Sequence, residues 1–79
     1  MKAKYDQYIH EYYDESGNVR YSVAWWDENT GQYQRPLDAR TRALTGCHTE
    51  YTHRIEEFGG YLTKRQALRR ARYLFGENE

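Results

Sequence analysis

Between positions 19 and 26 the chain alternates at period two. Val19, Tyr21, Val23 and Trp25 fall on one side of an extended backbone, and Arg20, Ser22, Ala24 and Trp26 on the other. Four large apolar groups on one face predict a strand set against a core. Residues 5–13, rich in Tyr, also read as a strand. It breaks at Asp14-Glu15-Ser16-Gly17-Asn18, where Gly and Asn tolerate the positive φ of a hairpin loop. Its faces are mixed: Tyr5, Ile9 and Tyr13 share a side with Gln7 and Glu11, while Tyr8 and Tyr12 lie with His10. A second turn, Asp27-Glu28-Asn29-Thr30-Gly31, leads into residues 32–35, a third strand ended by Pro36. A three-stranded antiparallel meander is expected.

Asp38 is placed to cap a short middle helix running through Leu44, with Ala39 and Ala43 on one face and Gly46 terminating it. After it, Cys47, Thr49, Tyr51, His53 and Ile55 alternate with His48, Glu50, Thr52, Arg54 and Glu56, which suits a fourth strand over residues 49–56. Tyr51 and Ile55 are also four apart, as in a helix, and so short a run does not choose between the two.

The last element carries its own start signal. Thr63 and Gln66 form a capping box, and Leu62 is positioned to staple onto Ala67. Along residues 64–75 a helical projection gathers Ala67, Leu68, Ala71, Leu74 and Phe75 on one arc and Arg65, Arg69 and Arg72 on the opposite one. Gly76 ends the helix, and residues 77–79 should fray. The expected fold class is α+β: a small antiparallel sheet of three to four strands packed on a C-terminal helix, with a short middle helix. All 79 residues form one domain.

Composition changes this picture in one respect. Apolar residues make up only 38% of the chain, yet nine residues are Tyr and two are Trp, so aromatic rings must do much of the work that aliphatics do in larger cores. Twelve bases balance twelve acids, but unevenly along the chain. Residues 1–38 hold seven acids and four bases, net −3, while residues 39–79 hold eight bases and five acids, net +3. A single cysteine, Cys47, excludes an internal disulfide. Residues 1–6 show no apolar signal segment, and no run approaches the ~18 apolar residues of a membrane span. A cytoplasmic protein with no membrane partner is expected.

The sequence offers little to catalysis. Ser16 lies in a turn signature and Ser22 in a strand, neither with an elbow motif. On an extended strand Cys47 and His53 share a face but stand about 20 Å apart, beyond proton-transfer reach. No Cys or His spacing matches a zinc site, and Gly59-Gly60 lacks the downstream Lys-Ser/Thr of a phosphate loop, reading as a tight turn instead. The chain is therefore expected to be no enzyme and to need no cofactor or metal.

Two binding surfaces remain. One is acidic and aromatic: Asp6, Glu11, Tyr12, Asp14, Glu15, Trp26, Asp27 and Glu28, suited to docking on a protein. The other is the basic helix, Lys64, Arg65, Arg69, Arg70 and Arg72, suited to phosphates, with exposed rings for base stacking. The absence of an overall positive field favours the first. The short chain, the Asn/Gly hairpin turns, the acidic-aromatic first half and the late Arg-rich helix together resemble small proteins of bacteriophages and mobile elements, among them the anti-CRISPR inhibitors. That resemblance implies a stoichiometric inhibitor without turnover, whose partner is a larger bacterial protein or ribonucleoprotein complex.

Overall fold

The computed structural model describes residues 4–76, and they form an α+β fold. Strands β1 (Ile9–Tyr13) and β2 (Val19–Val23) pair antiparallel. Strands β3 (Trp25–Asp27), β4 (Gln32–Pro36) and β5 (Thr49–Thr52) form a second antiparallel sheet in that order. Helix α1 spans Ala39–Thr45 and helix α2 spans Lys64–Leu74. The expected fraying of residues 77–79 lies outside the described residues.

The single meander is replaced by two sheets, because the long strand expected over residues 19–26 changes partner at Ala24. The chain before β1 is not extended as expected for residues 5–13: Asp6–Tyr8 curls into a 3₁₀ turn closed by the Tyr8 N–H on the Tyr5 carbonyl at 3.0 Å. The strand partner therefore stops at Ile9. The Ala24 N–H takes the Tyr8 carbonyl at 2.9 Å, and from Trp25 onward β4 supplies the pairing. Ala24 is buried at this switch. The same turn brings Tyr5 and Tyr8 to one core instead of opposite faces.

Both hairpin turns are shaped by an aspartate. The Asp14 carboxylate accepts the N–H groups of Ser16 and Asn18, both at 2.9 Å, with Gly17 at φ 83° completing the loop. Asp27 likewise accepts the Asn29 N–H at 2.9 Å. Helix α1 is held by its ends: Asp38 accepts the Thr41 N–H at 2.7 Å, and Gly46 closes it in the left-handed region. Its flanks stay in solvent, Ala39 and Ala43 included, and Leu44 is 78% exposed.

The strand expected over residues 49–56 is cut to half that length. The Thr52 hydroxyl donates to Glu57 at 2.6 Å and accepts the Arg54 N–H at 3.2 Å, which turns the chain into a 3₁₀ segment, Ile55–Phe58, with Ile55 buried. The strand reading thus holds for residues 49–52, while the helical reading, which paired Tyr51 with Ile55, is not met: Tyr51 is in the strand and Ile55 opens the 3₁₀ segment.

Helix α2 lies across β1 and β2. Both bonds of the capping box are made, the Thr63 hydroxyl accepting the Gln66 N–H at 3.2 Å and the Gln66 side chain accepting the Thr63 N–H at 3.3 Å. Ala67 and Ala71 are fully buried against Val23 and Tyr5, with Tyr8, Ile9, Tyr21, Leu68 and Leu74 around them. Small residues in the seam let the helix axis approach the sheet closely. The staple between Leu62 and Ala67 is not made, since Leu62 stays exposed. Phe75 caps α2 and stacks on Tyr5 at 5.2 Å, so the two ends of the described chain meet.

Candidate functional site

The residues between the last 3₁₀ turn and α2 organise the concave side of the molecule. Gly59, at φ 76°, turns the chain so that Tyr61 bridges β2: the Tyr61 N–H donates to the Tyr21 carbonyl at 2.7 Å and the Tyr21 N–H to the Tyr61 carbonyl at 2.9 Å. Gly60 passes over Tyr12 and Arg20 of the β1–β2 hairpin, where a Cβ would stand 2.7 Å from the Tyr12 hydroxyl. Any larger residue here would have to push the Tyr12 ring aside.

Tyr61 then contributes to two adjoining hollows. The deeper is a cleft of about 440 Å³ with Ser22, Arg35, Asp38, Glu50, Phe58 and Arg70 among its lining residues. Arg35 is clamped there. Its guanidinium donates to both Glu50 carboxylate oxygens at 2.9 and 3.3 Å and to the Phe58 carbonyl at 3.1 Å, and lies 4.5 Å from the Phe58 ring centre. The Arg35 Nε is buried without a partner. The shallower hollow runs along α2 and is lined by Tyr61, Gln66, Arg69, Arg70 and Tyr73. Arg70 separates the two, its guanidinium 5.0 Å from the Tyr73 ring centre and 3.6 Å from Asp38. The Thr41 N–H and hydroxyl hold the Asp38 carboxyl below its ordinary pKa, with Arg70 adding to the effect.

The basic-helix residues do not share one fate. Lys64 pairs with Asp6 at 2.5 Å, which raises the pKa of the ammonium, and Arg70 is anchored as described. Arg65 and Arg69 are exposed on the outer face and have no acidic partner among the described residues. Arg72 is also exposed. Tyr61 and Tyr73, the rings beside these arginines, were not singled out from the sequence. The signal present was Tyr73 at i+4 from Arg69 and i+7 from Gln66, while Tyr61 joins them only through its tertiary bridge to Tyr21.

The acidic-aromatic residues do not form one patch. Asp6 is tied to Lys64. Glu11 stands beside the Tyr21 hydroxyl and pushes its pKa up. Asp14 is spent on its turn and on Arg20, whose Nε donates at 2.8 Å and, with the Asn18 N–H, holds the carboxyl below its usual range. Tyr12, Asp14 and Glu15 do come together, lining a third groove with Arg20 and Glu56. Burial raises the Tyr12 pKa there, with Glu56 and Asp14 adding to it and Arg20 opposing. Trp26, Asp27 and Glu28 lie elsewhere, at the β3–β4 turn beyond the Ala24 switch, with Trp26 edge-on to Tyr33 at 5.0 Å.

Among the described residues no group of three or more His, Cys, Asp or Glu could hold a metal ion, and no helix is long and apolar enough to cross a membrane. Cys47 is exposed. No known family model, curated protein or solved structure matches this chain, so the roles of its residues rest on their own geometry.

Proposed function

We propose that this chain is a non-catalytic nucleic-acid-binding domain acting in the cytoplasm through the outer face of α2 and the groove beside it. The observation that carries this reading is the groove that sets Arg69, exposed and without an acidic partner among the described residues, beside the exposed rings of Tyr61 and Tyr73, with Arg65, likewise exposed and unpaired among them, one turn earlier on the helix. Neutral net charge is no obstacle at this range. Charges more than about 8 Å apart are largely screened at physiological ionic strength, so the local cluster dominates. Binding of labelled oligonucleotides, followed by fluorescence anisotropy, should weaken with salt at a log–log slope of about −2 for about three phosphate contacts. Arg65→Ala with Arg69→Ala should flatten that slope by about one or more and weaken binding about tenfold. No binding at about 50 mM salt overturns the reading.

A second reading keeps the inhibitor resemblance: a protein surface at the β1–β2 hairpin, docking on a basic groove of a bacterial complex. The groove shared by Tyr12, Asp14, Glu15 and Glu56, with Tyr13 71% exposed at the hairpin, favours it. A protein partner captured from nuclease-treated bacterial lysate and lost in Glu15→Lys with Glu56→Lys supports it. Capture unaffected by both substitutions removes it.

A further inference from the structure

We infer that the α2 groove selects single-stranded over duplex nucleic acid, stacking bases on Tyr61 and Tyr73 while Arg69 holds phosphate and Arg70, tied to Asp38, supports the Tyr73 ring. This rests on the nucleic-acid reading above. Gln66, Arg69, Arg70 and Tyr73 recur at i, i+3, i+4 and i+7 and so form one stripe along α2. At about 1.5 Å rise per residue the stripe is about 10 Å long, the span of about three stacked nucleotides at about 3.4 Å each.

Ring faces are what a duplex does not offer, because its bases are stacked on one another and present only their edges in the grooves. A single strand exposes them, and base-on-aromatic stacking tolerates any sequence. Tyr73 is 55% exposed and Tyr61 36%, so both rings are open to a ligand. Their backbones are fixed in advance. Tyr61 is held by its two backbone bonds to Tyr21, and Tyr73 carries the Arg70 guanidinium, itself tied to Asp38. Pre-ordered groups lose little freedom on binding. Gln66 adds a polar contact: its amide oxygen is taken by the Thr63 N–H in the capping box, which leaves its NH₂ to donate to base carbonyls.

The test compares a labelled oligothymidylate of about 12 nucleotides with a duplex of equal length, at about 50 mM salt. The single strand should bind about tenfold tighter. Tyr61→Ala and Tyr73→Ala should each weaken single-strand binding about tenfold, narrow the preference for the single strand over the duplex and keep the far-UV circular dichroism of the parent, while Tyr73→Phe keeps the parent's preference. Salt-dependent binding of both probes with equal affinity, indifferent to the tyrosine substitutions, overturns this inference and leaves the broader reading standing. Binding of neither probe overturns both. Tyr73→Phe falling as far as Tyr73→Ala also overturns the stacking role, since the ring is retained.

Discussion

Trp25 and Trp26 are neighbours in the chain and send their rings to opposite sides of β3. Trp25 packs edge-on to Tyr8 at 5.2 Å and lies 6.4 Å from Phe75, joining the rings that lock the C-terminal end of α2 onto the sheets. Trp26 turns the other way, onto Tyr33, which in turn meets His10 of β1 at 5.0 Å. One strand of three residues thus feeds two aromatic clusters, one tying the second sheet to the 3₁₀ turn and the end of α2, the other tying it to β1.

The two tryptophans should therefore differ sharply on truncation. Trp25→Ala removes a half-buried ring together with its hydrogen bond to Gln34 and should cost about 3 kcal/mol in urea unfolding. Trp26, 49% exposed, should cost about 1 kcal/mol or less. Equal losses would show that both clusters bear on stability alike.

At the crossing of Gly60 and Tyr12 an added methyl meets the tyrosine hydroxyl, the Arg20 Cβ at 3.2 Å and the Tyr12 ring at 3.3 Å. Gly60→Ala should destabilise by about 1–3 kcal/mol. Adding Tyr12→Phe should recover part of that, because the nearest clashing atom is gone, and a double-mutant cycle on melting data reads the coupling directly.

Ala71 is fully buried in the seam between α2 and the first sheet. Ala71→Leu should lower stability by about 1–3 kcal/mol through overpacking. Ala43→Leu, on the exposed flank of α1, should change it by about 0.5 kcal/mol or less. Denaturant midpoints at constant slope are the measurement.

His10 gives the fold a pH dependence of predictable sign. Burial lowers its pKa from the ordinary 6.5, so the folded state favours the neutral ring packed on Tyr33. The stability this contributes is complete above about pH 6.5 and is lost as the pH falls from there through the folded-state pKa, because the unfolded chain binds the proton more readily. Urea midpoints measured from pH 7.5 down to pH 5, above the carboxylate range, should fall for the parent and fall less for His10→Gln.

Local interactions were legible in the chain itself. The capping box at Thr63 and Gln66, the cap at Asp38, the stop at Gly46 and the two Asp-led turns are all made between residues a few positions apart, so a short window of sequence contains both partners. The alternation from Val19 to Trp25 likewise marked extended chain, and the helical arc correctly singled out Ala67 and Ala71. What tertiary structure alone decided is who pairs with whom. Nothing in residues 19–26 marks Ala24 as the point where β1 ends and β4 begins, because that depends on the turn at Asp6–Tyr8 withdrawing one partner and a hairpin supplying another. The same holds for the sites. The acids of the first half read as one patch because they are close in sequence. Folding assigns Asp6 to Lys64, Asp14 to Arg20 and Asp27 to its own turn, while it brings Tyr61 beside Tyr73 across α2. Charges and rings find partners by distance in space, and in a chain this small those distances are set by where the two sheets and α2 come to rest.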